Sequence, residues 1–171
     1  MTTTFSSLGV AQPLVDALAE RNITSPFPIQ ALTIADALAG RDVCGKAKTG
    51  SGKTLAFGLP TLQRLPSARP GRPTALCLVP TRELAVQVSE ELEPLAAAVG
   101  HSVTAIYGGD PIERQVAALQ RGVDLAVCTP GRAIDLIERK ALSVADVAHV
   151  IVDEADRMAD MGFLPQVEWI L

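Results

Sequence analysis

The sequence predicts an α/β protein in which a mostly parallel, doubly wound sheet carries helices on both faces, and three observations support this prediction. Short, almost continuously apolar runs alternate along the chain with longer amphipathic runs. Such apolar runs are typical of parallel strands that are covered on both faces. Hydrophobic residues make up 48% and charged residues 20% of the 171 residues, which argues against general disorder. The repeated order of strand and helix implies right-handed crossovers.

The elements follow from this alternation. The apolar runs predict strands at residues 42–47, 74–79, 102–107, 124–129 and 147–152. The amphipathic runs predict helices at residues 12–21, 29–38, 54–64, 82–99, 112–120 and 132–139. Gly40, Gly100 and Gly122 follow helical runs, where a left-handed cap favours glycine. Pro94 lies inside the run 82–99 and predicts a kink or a break there.

The net charge and the cysteine content exclude some classes of protein. With 15 basic and 19 acidic residues the net charge is −4, which excludes a broadly cationic nucleic-acid coat protein but leaves room for a local site. Cys44, Cys77 and Cys128 are odd in number and widely spaced, so we expect small buried hydrophobes rather than disulfides or a zinc site. No apolar run approaches the ~20 residues that span a bilayer, and no signal peptide is visible. We therefore expect a cytoplasmic protein.

A polar or glycine-rich cluster follows every predicted strand. These clusters read, in order, KTGSGKT, PTREL, GGD, TPGR and DEAD. Because ligands bind at the carboxyl ends of the strands in an open α/β sheet, we expect these clusters to share one edge of the molecule.

Residues 47–54, at the end of the first predicted strand, read AKTGSGKT and are close to the general phosphate-loop pattern G-x-x-x-x-G-K-[ST]. They differ from it only at Ala47, where the pattern has glycine. Glycines let successive backbone N–H groups point at an anion, and the next helix adds its positive end. Lys53 would meet the terminal phosphates, and the Thr54 hydroxyl would bind Mg²⁺. The alternative is a strand-to-helix turn that binds nothing, but such a turn does not require Lys-Thr at its end. The predicted phosphate-binding residues are Ala47, Lys48, Thr49, Gly50, Ser51, Gly52, Lys53 and Thr54.

Two carboxylates follow the last predicted strand. A strand-terminal aspartate such as Asp153 can hold Mg²⁺, often through water. The adjacent Glu154 could then orient and deprotonate an attacking water molecule. The alternative is an ordinary helix N-terminus, where the helix dipole favours acidic residues.

Together these residues resemble the DEAD-box ATP-dependent RNA helicases. Asp153-Glu154-Ala155-Asp156 spells the family signature, and Gln30 follows Pro26, Pro28 and Ile29 as in the family's Q motif. The six motifs in chain order are the Q motif, AKTGSGKT, PTRELA, the Gly108-Gly109 pair, TPGR and DEAD. The resemblance runs from Phe5 to Phe163 and implies the family's first RecA-like domain. Ala47, which departs from the general phosphate loop, is the usual residue of this family.

The resemblance implies a role for each motif. Gln30 would read adenine through its amide, Phe5 would stack on the base, and Asp156 would link the ATP site to neighbouring motifs. The residues implied to line the RNA backbone are Pro80, Thr81, Arg82, Gly108, Gly109, Thr129 and Arg132.

Each of these roles has an alternative. Phe5 could pack on the first helix, and Gln30 could be an exposed polar residue. Arg82 and Arg132 could be plain surface cations. The glycine pair could be an ordinary turn, and Thr129 could simply open a helix.

The sequence also departs from the family pattern. Asn22-Ile23 stand where the family usually has glycine and an aromatic residue, and Phe27 replaces a usual threonine. The first change would alter the turn before the Q motif, and the second removes a hydroxyl group.

The family's next motif, Ser-Ala-Thr, and its second RecA-like domain are not found up to Leu171. We therefore expect residues 1–40 to form the Q-motif region and residues 41–171 a partial first RecA-like domain. A central strand, between the phosphate-loop strand and the Asp-Glu strand, would be missing and be supplied by a separate segment or a partner copy. On its own the chain should bind nucleotide weakly, barely hydrolyse it and not unwind a duplex.

The leading prediction is the ATP-binding N-terminal domain of an ATP-dependent RNA helicase, with ATP and Mg²⁺ as cofactors and RNA and a second RecA-like domain as partners. One alternative is a DNA-directed helicase or translocase of the same superfamily. Another is a non-catalytic, truncated RNA-binding module. A metabolic ATPase or kinase is a third, although no substrate-binding motif for one is visible. The sequence does not predict an oligomeric state.

Overall fold

The computed structural model describes residues 3–48 and 50–171. The chain divides into two compact units, Met1–Arg64 with Glu91–Gly100, and Leu65–Glu90 with His101–Leu171. The division falls within one long helix, after Glu90.

The first unit is helical. Its elements are a short 3-10 helix (Ser6–Leu8), α1 (Gln12–Glu20), α2 (Pro28–Leu38), α3 (Lys53–Arg64) and the end of α4 (Arg82–Ala98). Proline opens both α1 and α2, where its missing N–H costs nothing. Leu14, Leu18, Ile34 and Leu59 form part of its fully buried core.

The second unit contains the sheet. Its elements are the start of α4, β1 (Ala75–Leu78), β2 (Val103–Ile106), α5 (Ile112–Gln120), β3 (Leu125–Cys128), α6 (Pro130–Glu138), β4 (His149–Val152), α7 (Ala155–Asp160) and α8 (Leu164–Ile170). The four strands pair in the order β2-β3-β1-β4, and every pair is parallel. The central strands β1 and β3 are buried along their whole length, whereas β4 lies at an edge. The predicted α/β class and parallel sheet are therefore confirmed.

One predicted strand is wrong. Residues 42–47 form neither helix nor strand, and five of the six side chains are exposed. A strand persists only where a neighbour pairs with its backbone, and within residues 3–48 and 50–171 no strand pairs with this segment. The continuous five-stranded sheet that would contradict the missing-strand hypothesis is not formed, and that hypothesis stays a prediction.

The six predicted helices are all present, and the glycines after three of them adopt the expected positive φ. The predicted break at Pro94 is wrong, because α4 continues through it to Ala98, while the alternative of a kink stays a prediction. An interior proline costs about 3 kcal/mol, and burial of Leu92, Leu95 and Ala96 around it offsets that cost. The sequence did not predict α7 or α8.

The cysteine prediction holds for two of three residues. Cys77 and Cys128 are buried in the sheet, and burial raises the pKa of both thiols. Cys44 is exposed, because it belongs to the segment that does not form a strand. In the described part of the chain, no helix is long and apolar enough to cross a membrane.

Asp124 organises the amino ends of the strands in the second unit. Its carboxylate is almost fully buried and accepts hydrogen bonds from the Ala68 amide (2.6 Å) and the Ser102 amide (2.9 Å). We expect Asp124→Ala to lower the free energy of unfolding by about 3 kcal/mol, because two partly buried amide donors lose a charged acceptor. Urea denaturation measures this loss. Asp160→Ala, at an exposed position, is the control, and equal stabilities of the two variants would contradict the prediction.

Candidate functional site

The phosphate loop of the first unit is shaped for an anion. Gly50 and Gly52 have φ of +77° and +81°, a region that favours glycine. The loop leads directly into α3 at Lys53, so the positive end of that helix faces the loop. The Ser51 hydroxyl is buried and has no hydrogen-bond partner within the described residues. An unpartnered buried donor in a loop of this kind fits a phosphate oxygen. Thr49 lies outside the described residues.

Gln30 ties the start of α2 to this loop. Its side-chain oxygen accepts from the Phe27 amide (2.8 Å), and its Nε2 donates to the Gly52 carbonyl (2.9 Å). Gln30 is fully buried, so the alternative of an exposed polar residue is wrong. Both ends of the amide group are held by backbone, and adenine recognition by Gln30 stays a prediction. Asn22 has φ +58°, so it adopts the left-handed turn for which the family usually uses glycine.

Stacking of Phe5 on a base stays a prediction, and the burial of Phe5 does not favour it. Phe5 is only 2% exposed and belongs to the core, so its ring offers no free face to a ligand. Burial favours the packing alternative. A different aromatic residue, Phe27, is exposed and lies beside the phosphate loop. In the sequence, Phe27 is notable only because it departs from the family pattern.

In the second unit the parallel sheet brings four of the five polar clusters to one edge. Pro80 to Arg82 follow β1, Gly108 to Asp110 follow β2, Thr129 to Arg132 follow β3, and Asp153 to Asp156 follow β4. All four strands run in one direction, so these clusters share the carboxyl edge, as predicted.

The two predicted RNA-contacting arginines differ in their surroundings. The Arg82 side chain is 65% exposed and its Nε donates to Glu83 (2.7 Å), a hydrogen bond that lowers the Glu83 pKa. Its Nη1 lies 3.6 Å from the point where a Cβ on Gly109 would be. The Arg132 side chain is only 13% exposed, and its Nη1 donates to the Asp110 carbonyl (3.0 Å). The plain surface-cation alternative is therefore wrong for Arg132.

Sequence reasoning missed Gln115, which holds the loop after β2 from beneath. This buried residue of α5 donates from Nε2 to the Tyr107 carbonyl (2.9 Å) and, at 3.4 Å, to the Asp110 carboxylate. Its Oε1 is buried without a partner among the described residues. A polar residue four positions before buried Leu119 on an amphipathic helix was the available signal.

We expect Gln115→Met to free the loop that carries Gly108 and Gly109, because methionine keeps the shape but not the donor. Chymotrypsin also cleaves after phenylalanine, tryptophan and leucine, so the fragment that ends at Tyr107, identified by its mass, reports loop opening. Cleavage should become about fivefold faster, the effect of one lost hydrogen bond. Gln120→Met, at an exposed site on the same helix, is the control. Equal cleavage rates would refute the loop-holding role.

The acidic cluster follows β4 directly. The Asp153 amide donates to the Leu78 carbonyl (3.0 Å), and the Asp153 carboxylate accepts from the Glu154 amide (3.0 Å). Glu154 has φ +51° and pairs with Arg157 at 3.1 Å. Its side chain makes no capping bond to α7, while Asp156 is exposed in the first turn of that helix.

Magnesium at this site would rely on few protein ligands. Among the described residues no group of three or more His, Cys, Asp or Glu side chains is placed to hold a metal ion. One carboxylate, one hydroxyl and water suit Mg²⁺, which keeps several of its waters. The second unit offers such a carboxylate in Asp153, and the first unit offers such a hydroxyl in Thr54.

Comparisons with known proteins agree with this geometry. The family model for the DEAD/DEAH box helicases matches residues 27–171. The DEAD-box ATP-dependent RNA helicase CshA of Streptococcus pneumoniae is 46% identical over 167 residues, which cover 98% of this chain and 32% of CshA. The ATP-dependent RNA helicase RhlB of Sodalis glossinidius is 42% identical over 172 residues, 97% of this chain and 41% of RhlB.

A solved structure shares the fold. The crystal structure of the RNA helicase Prp28 from Chaetomium thermophilum bound to ADP matches with a TM-score of 0.89 and 42% identity, over 96% of this chain and 41% of Prp28. This chain thus spans 32% to 41% of the length of these relatives. The sheet and its flanking helices match a RecA-like domain. On its motifs, its fold and its relatives, the chain belongs to the DEAD/DEAH box helicase family.

Proposed function

We propose that this chain is the ATP-binding N-terminal RecA-like domain of an ATP-dependent RNA helicase. The observation that carries the proposal is the phosphate loop, with its two left-handed glycines and the unpartnered Ser51 hydroxyl at the start of α3. The DEAD cluster at the carboxyl edge of the sheet gives independent support. Residues 1–40 would form the Q-motif region and residues 41–171 the partial RecA-like domain.

The nucleotide would be held mainly by backbone and two side chains. The loop amides and Lys53 bind the phosphates, and the Gln30 amide reads adenine with the N–H and the oxygen lone pair that its two backbone bonds leave over. Thr54 and Asp153 would hold Mg²⁺, which neutralises phosphate charge when bound. Glu154 accepts the proton of the attacking water at its carboxylate, and Asp156 links this site to neighbouring motifs.

RNA would bind along the carboxyl edge of the sheet. Within residues 3–48 and 50–171 the amides of Gly108 and Gly109 have no acceptor, so they are available to phosphate oxygens. Arg82 adds an exposed positive charge beside them. The remaining contacts are assigned to Pro80, Thr81, Thr129 and Arg132. Contacts of this kind hold the sugar-phosphate backbone without reading sequence.

We also propose a partner domain and a cellular compartment for this chain. A second RecA-like domain of the same protein would complete the ATP and RNA surfaces. Free cysteines, two of them buried in the sheet, fit a reducing compartment, and we assign the protein to the cytoplasm.

Phosphate release from ATP, measured with single-stranded RNA and with single-stranded DNA of the same length, tests the function. The protein at its natural length should hydrolyse ATP faster with RNA. Equal stimulation by DNA would favour the DNA-directed alternative. No hydrolysis with either nucleic acid, together with retained RNA binding, would favour the non-catalytic module.

Arg82→Ala tests the RNA edge, with RNA binding measured at several salt concentrations. The variant should bind RNA of every sequence more weakly, and the slope of log binding constant against log salt concentration should fall by about one. Arg121→Ala, at an exposed site after α5, is the matched control. Equal behaviour of the two variants would contradict the assignment of this edge to RNA.

A further inference from the structure

Phe27 is an exposed aromatic residue in a fixed position beside the phosphate loop. It precedes Pro28 at the start of α2, and 55% of the residue is exposed. A Cβ built on Gly52 would lie 2.7 Å from Phe27 Cδ2, so the edge of the ring packs on the loop glycine. One part of the ring is therefore anchored while the rest faces solvent.

The anchoring runs through Gln30 as well. The Phe27 amide donates to the Gln30 oxygen, and the Gln30 nitrogen donates to the Gly52 carbonyl. The built Cβ on Gly52 would also overlap Gln30 Nε2. Phe27, Gln30 and Gly52 thus contact one another, which places the ring next to the phosphate-binding backbone.

A lone exposed hydrophobic residue is ordinary and needs no function. Leu32, on the same helix, is 75% exposed and is such a residue. Phe27 differs because its exposed ring adjoins a loop shaped for phosphate, whereas the Phe5 ring is buried in the core.

We propose that Phe27 supplies the aromatic face on which the base of a bound nucleotide stacks, and that it favours purines over pyrimidines. This inference rests on the proposed function, since it requires a nucleotide at the phosphate loop. The larger purine ring covers more of the phenyl face and gains more from stacking. The threonine usual at this position in the family has no such face, so this contribution is particular to this chain.

Equilibrium binding of ADP, CDP and inorganic tripolyphosphate, each with Mg²⁺, tests the inference. Tripolyphosphate occupies the phosphate loop but carries no base. The variants are Phe27→Ala, Phe27→Thr and Phe27→Trp, with Leu32→Ala as the matched control on the same helix. Circular dichroism checks that each variant retains its helices.

Phe27→Ala and Phe27→Thr should weaken ADP binding about tenfold, within the range of base–aromatic stacking. CDP binding should fall less, and tripolyphosphate binding should not change. Phe27→Trp should keep ADP affinity, and ADP should quench the fluorescence of the new indole. Leu32→Ala should bind all three ligands like the unmodified chain.

Two results would overturn the role of Phe27. One is unchanged ADP affinity in Phe27→Ala. The other is an equal loss of ADP and tripolyphosphate binding, which would show that the ring only supports the loop. Failure of the unmodified chain to bind both ADP and tripolyphosphate would instead overturn the proposed function, and the inference with it.

Discussion

Replacing Lys53 by alanine is expected to weaken ADP binding about 100-fold, which corresponds to about 3 kcal/mol. Lys53 is the first residue of α3 and follows the two left-handed glycines, so its ammonium group extends from the loop that would hold the phosphates. A truncated side chain leaves phosphate charge without its cationic partner in a partly desolvated site. Isothermal titration with Mg²⁺ and ADP measures the loss.

Lys46→Ala is the matched control for this experiment. Lys46 is an exposed lysine that precedes the 47–54 pattern by one residue, so its removal changes net charge equally. A general effect of charge would weaken both variants alike, and that outcome would contradict a specific role for Lys53. Tripolyphosphate should follow ADP in Lys53→Ala, in contrast to its behaviour with the Phe27 variants.

The sheet illustrates what a sequence can predict. β1 and β3 are buried along their whole length, and burial of both faces produces the continuous apolar runs from which they were predicted. Residues 42–47 read DVCGKA, with two charged residues and a glycine among them, and they form no strand. Strand formation depends on a partner that lies far away in sequence, and composition within a window carries no information about that partner.

At the site, too, the features set by neighbouring residues were predictable, and those set by tertiary packing were not. The glycine turn and the start of α3 were predictable, since φ preferences and helix starts are set within a few residues. The burial of Phe5 and the exposure of Phe27 were not, because burial depends on the packing of several helices. The role of Gln115 was not predictable for the same reason, because its contact with the loop after β2 forms only in the folded protein.

The acidic chain binds RNA, in our proposal, with cations that already have partners. Arg82 is paired with Glu83 and Arg132 with the Asp110 carbonyl. The exposed Arg82 pair contributes little to stability, so a phosphate can replace Glu83 at small cost. Arg132 is largely buried, and its hydrogen bond to the Asp110 carbonyl holds the loop after β2. We therefore expect the salt dependence of RNA binding to depend mainly on Arg82.

Glu154→Gln is expected to lower RNA-stimulated ATP hydrolysis at least about 100-fold, the usual lower range for loss of a general base. Glutamine keeps the shape of the side chain but cannot accept the proton from water. Nucleotide affinity should stay unchanged, because the phosphates are assigned to the loop and not to Glu154. Phosphate release by the protein at its natural length, with ADP binding measured in parallel, separates the two effects.

Two further variants make this test specific. Glu168→Gln, at an exposed site on α8, controls for the loss of one negative charge. Arg157→Gln removes the 3.1 Å ion pair on the Glu154 carboxylate while leaving the carboxylate itself in place. A base that must be free to take a proton should tolerate this change, so Arg157→Gln should hydrolyse ATP far faster than Glu154→Gln. If both variants lost hydrolysis equally, the ion pair and not proton transfer would be the function of Glu154. If Glu154→Gln hydrolysed ATP at the normal rate, the assignment of the base would be wrong.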